Sequence, residues 1–164
     1  MRLIKLGIIS FLVLAIIVTA IATLFPSTVI VSRAIEVNAQ PDSIAKYCAD
    51  LNEWGNWMSD WKQNQPVWKD STVYIGTQTI KQMVVSDNSA IFEWVASGQR
   101  PYIVKIEWLS LKPGIYVIHW SFEQHVKWYP WEKFQTLLNE KVLGAKMEME
   151  LANLRDLLLQ QNNQ

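Results

Sequence analysis

Residues 6–25 form an uncharged run of 20 positions, nearly all Leu, Ile, Val, Ala or Phe. No ordinary water-exposed helix tolerates such a run. At a rise of about 1.5 Å per residue it makes a helix about 30 Å long, the thickness of a bilayer's hydrocarbon core. Arg2 and Lys5 precede it. Positive charge stays on the cytoplasmic side, so the N-terminus is expected inside and the remainder exported, periplasmic or extracytoplasmic. A cleavable signal peptide is the competing reading, because Ala20-Ile21-Ala22 offers a small-x-small site. The run is longer than a usual signal core and continues through Leu24 and Phe25 to Pro26. That favours an uncleaved, single-pass signal-anchor, with the membrane lipid bilayer as its partner. The third reading is a buried core helix.

The expected domains are therefore 1–26, a transmembrane signal-anchor, and 27–164, one folded unit. Those 138 residues suffice for a single sizeable core. Without Arg2 and Lys5 they carry 13 basic against 15 acidic residues. No bulk positive field exists to attract a polyanion, so nucleic acid is not an expected partner. One cysteine, Cys48, excludes an internal disulfide and a multi-cysteine metal centre. It reads as a small buried hydrophobe. Nine tryptophans exceed what a core of this size needs.

The hydrophobic period changes along the chain. Residues 28–37 are β-branched with partial alternation, a strand pattern. Pro41-Asp42-Ser43 opens a short helix with Ile44, Tyr47, Cys48 and Leu51 at helical spacing. The segment 66–76 is ambiguous. Strands follow at about 77–85, 90–96, 102–110 and 115–124, separated by turn chemistry at Ser86-Asp87-Asn88-Ser89, Ser97-Gly98 and Lys112-Pro113-Gly114. Such short connections require neighbouring antiparallel strands, a meander. From Pro130 to about residue 160 the period is helical. Phe134, Leu138, Val142, Met147, Leu151, Leu154 and Leu158 recur at spacings of three to five and form an apolar stripe. Gly144 interrupts the helix as a soft point or a close-packing contact.

Strand parity locates the interior. The even positions are Ala90, Phe92, Trp94, Ala96; Tyr102, Val104, Ile106, Trp108; and Tyr116, Ile118, Trp120, Phe122. The odd positions include Glu93, Lys105, Glu107, His119 and Glu123. The even face is expected to look inward toward the long helix. It bears no carboxylate, histidine or lysine, so it offers no general acid or base. His119 and His125 read as a solvated cross-strand residue and a loop residue. Asp60 and Asp70 read as caps. No HExxH, CxxC or Gly-rich phosphate loop occurs, and no metal or cofactor is expected.

The inward rings either line an apolar pocket or fill it. As a pocket, its ligand-binding residues are Phe92, Trp94, Tyr102, Trp108, Tyr116 and Trp120 from the strands, with Phe134 and Leu138 from the helix. Trp54, Trp57 and Trp61, and the run Trp128-Tyr129-Pro130-Trp131, either pack loops or anchor at the membrane interface.

Three segments carry a resemblance. They are Val31-x-Arg33-Ala34-Ile35-x-Val37-x-Ala39-x-Pro41, then Asn52-x-Trp54-x-x-Trp57, and the ending from Phe134 through Leu143-Gly144 to Leu151-Ala152-Asn153-Leu154. Over about 28–160 the chain resembles the START-like (SRPBCC) group, the polyketide cyclase/dehydrase type, in its membrane-anchored bacterial form. The resemblance implies an α+β helix-grip fold, an antiparallel meander wrapped on a long C-terminal helix. It also implies binding of a hydrophobic small molecule or lipid between sheet and helix. The family has no universal catalytic residues to carry over. The stretch between Trp61 and Thr77 is shorter than usual there, implying a reduced hairpin. Three functions stay open: a non-enzymatic binding domain, a packed interaction module, and a cyclase- or hydrolase-type enzyme. The enzyme would need a titratable group in the cavity, with Lys69, Asp70, Lys81, Glu140 and Glu148 as candidates.

Overall fold

The computed structural model describes residues 2–24, 26–98, 100–127 and 129–162, with side chains undescribed at 2, 3 and 134–139. Helix α1 spans Arg2–Thr23, and 20 of its residues, Ile4–Thr23, are apolar enough to cross a membrane. Only 6% of that stretch is buried, so it is not the core helix of a folded unit. Strand β1 (Thr28–Asn38) follows, then α2 (Pro41–Ala49), a 3-10 turn (Leu51–Asn56) and α3 (Ser59–Gln63). Six strands come next: β2 (Val67–Lys69), β3 (Thr72–Ile75), β4 (Gln78–Ser86), β5 (Ser89–Ala96), β6 (Tyr102–Lys112) and β7 (Ile115–His125). Helix α4 (Pro130–Asn162) closes the chain.

The strands make one seven-stranded antiparallel sheet in the order β1-β7-β6-β5-β4-β3-β2. This is the α+β helix-grip architecture. The ambiguous segment 66–76 becomes the β2–β3 hairpin, turned at Asp70, whose φ is 53°. With three and four residues it is short, and all of β2 is exposed.

The expected parity holds. Ala90, Phe92, Trp94, Val104, Ile106, Trp108, Ile118, Trp120 and Phe122 are all buried. The opposite face carries Glu107 beside His119 across β6 and β7, 3.8 Å apart and partly exposed. His125 lies on the strand end, its Nδ1 2.9 Å from Thr28 Oγ1.

Two layers cover the inner face. One is α4, packed along β1. The other is α2 with the 3-10 turn, and here the tryptophans gather. Trp54, Trp57 and Trp61 are buried, so this cluster packs the core rather than meeting a membrane. Trp54 lies edge-on to Phe92 with centroids 4.8 Å apart, and its Nε1 donates to the Cys48 carbonyl at 3.3 Å. Trp57 Nε1 donates to the Tyr47 carbonyl at 3.1 Å. These bonds tie the turn back onto α2 while the rings fill the sheet's concavity. Cys48 is fully buried among them.

The expected stripe on α4 needs one correction. Met147, Leu151, Leu154 and Leu158 are buried, but Val142 is 74% exposed. A step of five residues turns a helix about 140° from the previous position, off the buried face. The buried line continues backward from Met147 through Gly144 and Leu143 instead.

Candidate functional site

A cavity of about 300 Å³ remains between the sheet and α4. Gln78, Trp94, Ala96, Tyr102, Trp120 and Phe122 line it from β4 to β7. Val142, Leu143, Lys146 and Met147 line it from α4, and Met58 closes one end. The strands supply inward side chains by alternation, and the helix supplies one face by its 3.6-residue period.

The aromatic residues expected around a ligand separate into groups. Trp94, Tyr102 and Trp120 line the cavity. Phe92 and Trp108 are buried elsewhere on the same face, and half-buried Tyr116 lies toward the β6–β7 turn. Phe134 and Leu138 fall among side chains outside the described residues. Phe122, Leu143 and Met147 join the lining; parity and the helical period contained all three.

The polar groups in the lining are few. Trp94 Nε1 donates to Gln78 Oε1 at 2.9 Å. Lys146 Nζ pairs with Asp60 of α3. So the inner sheet face lacks acids and bases, as parity requires, while α4 adds one cation already neutralised by a carboxylate. Asp60 lies in the first turn of α3, yet its partner is this lysine. Lys69, Asp70, Lys81, Glu140 and Glu148 are all exposed. Among the described residues, no group of His, Cys, Asp and Glu has metal-binding proximity.

Beyond the cavity, Glu150 is fully buried on α4. Its two carboxylate oxygens accept from Ser59 N at 3.1 and 3.0 Å, and Asn153 Nδ2 donates to Oε2 at 3.2 Å. Asn153 also donates to the Trp57 carbonyl at 3.1 Å. The carboxylate thus pins the start of α3 to α4 and fixes Met58, a cavity wall. Glu150 belongs to no motif, and an isolated carboxylate within a helical pattern is ordinarily solvated. Its position, three after Met147 and four before Leu154, was the available signal. Burial pushes the Cys48 thiol well above its usual pKa, because the thiolate loses hydration there.

A seven-stranded meander gripping a long helix over an apolar cavity is matched by the comparisons. Residues 28–158 match the family described as polyketide cyclase / dehydrase and lipid transport. The chain belongs to this family. No functionally curated protein matches the sequence significantly. Among solved structures, a START superfamily protein from Mycobacterium smegmatis is 14% identical, with a TM-score of 0.60 over 80% of this chain and 97% of that one. A norcoclaurine synthase from Thalictrum flavum is 15% identical, with a TM-score of 0.60 over 82% and 96%. CalU16 from Micromonospora echinospora is 16% identical, with a TM-score of 0.54 over 78% and 71%. At these identities the likeness establishes the START-like fold alone.

Proposed function

We propose that this polyketide cyclase-type domain is a membrane-tethered, non-enzymatic binding module. Its ligand is a hydrophobic small molecule or lipid held between sheet and α4. The observation carrying the reading is the cavity of about 300 Å³, walled chiefly by Trp94, Tyr102, Trp120, Phe122, Leu143 and Met147. Ligand sites are concave and mostly apolar, and this volume lies at the lower end of their usual range of roughly 300–1,000 Å³. It suits one ring system or one short acyl chain rather than a two-chain lipid. Trp94, Tyr102 and Trp120 are the ligand contacts in this reading. The sheet wall supports a binding role, since it brings no carboxylate, histidine or lysine to the cavity.

Tethering is supported by the apolar length of α1, and Arg2 and Lys5 before it favour a cytoplasmic N-terminus with the domain on the opposite side.

Native mass spectrometry of the full chain in detergent, followed by organic extraction, tests the function. An apolar molecule of one chain or ring system is expected to co-purify. Repeated ligand-free preparations that also take up no apolar probe would overturn the reading.

A further inference from the structure

The inner face of β4 carries two glutamines, Gln78 and Gln82, on either side of fully buried Ile80. Alternation puts all three on the same side of the strand. A half-buried amide needs partners for an oxygen that accepts and a nitrogen that donates twice. Gln82 uses its nitrogen within the fold. Its Nε2 donates to the Ala49 carbonyl at 2.7 Å and holds the end of α2.

Gln78 is arranged the other way round. Its Oε1 accepts from Trp94 Nε1 at 2.9 Å. An indole N–H can only donate, so the atom it meets is the amide oxygen and the NH2 group is turned elsewhere. The strand register explains the pairing. Ile80 stands opposite Trp94 and Gln78 opposite Ala96, so the Trp94 ring meets the glutamine diagonally across β4 and β5. Gln78 Nε2 has no hydrogen-bond partner among the described residues, and it is not sealed from open space. The open space at Gln78 is the cavity of about 300 Å³, whose lining it shares with Trp94, Ala96 and Tyr102.

Two other polar groups of the lining differ from it. Lys146 Nζ is paired with Asp60, so its charge is matched. Trp120 Nε1 lacks a hydrogen-bond partner, but that atom is buried and meets no open space.

We infer that Gln78 is the polar recognition point of the cavity, and that the ligand carries an uncharged carbonyl-type oxygen, as in a ketone or ester, on an apolar skeleton. The inference rests on the binding reading above and narrows its ligand to this class. A plain hydrocarbon would cover Nε2 and leave it without water or acceptor, which is costly. A carboxylate would accept from Nε2 but would bring an unmatched charge into an apolar cavity whose lining cation already faces Asp60. A carbonyl oxygen meets the donor without that charge.

The test titrates the full chain in detergent, by calorimetry, with three probes of one two-ring skeleton and nearly equal size: isopropylnaphthalene, acetylnaphthalene and naphthoate, substituted at the same ring position. Each is titrated into the wild type, Gln78→Met and Gln78→Glu. Methionine keeps the length and removes the amide. Glutamate keeps an acceptor for Trp94 Nε1 and removes the donor. Micelles take up a given probe equally whichever protein is present, so that effect cancels in the ratio of wild-type to variant affinity. Acetylnaphthalene is expected to lose about three- to tenfold in both variants, and isopropylnaphthalene to lose nothing or to gain. Naphthoate is expected to bind the wild type too weakly to saturate it. Equal losses of the first two probes would make Gln78 a structural support and overturn the inference while the binding reading stands. Naphthoate saturating the wild type, with the larger loss in Gln78→Met, would overturn the uncharged class. If none of the three binds the wild type, the binding reading falls and the inference with it. Infrared difference spectra of acetylnaphthalene on the wild type need no variant. The bound carbonyl stretch should fall below its value in hydrocarbon solvent, and an unshifted band would overturn the inference.

Discussion

Arg33 of β1 lies directly across Gly144 of α4, where an added Cβ would stand 2.7 Å from the guanidinium carbon. Arg33 Nε donates to Glu148 Oε1 at 2.5 Å, one helical turn farther on. The missing side chain lets α4 approach β1, with neighbouring Leu143 forming part of the cavity wall. Gly144 is therefore a close-packing contact.

Gly144→Ala is expected to change stability by less than about 1 kcal/mol. Alanine gains up to ~1 kcal/mol in helix propensity. It displaces a flexible guanidinium from an ion pair whose Glu148 side chain is 63% exposed, an interaction worth about 0–1 kcal/mol. Gly144→Leu cannot be relieved by moving Arg33 alone and should destabilise by ~1–3 kcal/mol. Urea denaturation of both variants checks this; a strongly destabilised alanine variant would show that the backbone itself is crowded.

Glu150→Ala should lose ~3 kcal/mol or more. It leaves the half-buried Ser59 N–H without its acceptor and opens a void where the Glu150 side chain was fully buried. Glu150→Gln retains one oxygen and should lose about half as much. Chemical denaturation gives both values, and protease sensitivity around α3 shows whether the damage begins there.

Cys48 should make the protein less stable in alkali. Its folded pKa is raised, so its stabilisation is complete below the unfolded thiol value of about 8.5. Above that pH the unfolded chain ionises while the folded one does not. Stability should then fall by ~1.4 kcal/mol per pH unit from this group. Cys48→Ala should flatten the slope between about pH 9 and 11. In the native state a thiol reagent at about pH 8 should label the chain only as fast as it opens.

Ala96→Phe should block the cavity from the end of β5. Binding of an apolar probe should weaken roughly tenfold or more, about 1.4 kcal/mol. The melting temperature should hold or rise, because the ring occupies empty apolar space. Unchanged probe affinity in a folded variant would place the ligand elsewhere. Displacement of a fluorescent hydrophobic dye measures it.

Much of the architecture was legible because its signals are local. The length of an uncharged run and the alternation along β5, β6 and β7 follow from backbone geometry alone. So do the break at Pro41 and the turns at Gly98 and Gly114, where φ is 74° and 78°. The β2–β3 hairpin was less legible, since three exposed residues on an edge strand need no apolar pattern.

The site was legible only as a face. Every even-numbered ring on β5 to β7 was a possible wall, and alternation cannot separate a ring beside a void from one beside another ring. That distinction depends on the 3-10 turn and the residue after it, whose Trp54 and Trp57 pack against Phe92, Trp94 and Trp120 yet leave space bordered by Trp94, Tyr102 and Trp120. Glu150 and Val142 reverse their residue types' usual surroundings for the same reason: the phase of α4 is set by the close approach at Gly144. Local chemistry thus determined which elements form and which side each residue takes. Tertiary packing alone decided where empty space remains, because a cavity is bounded by segments far apart in the chain.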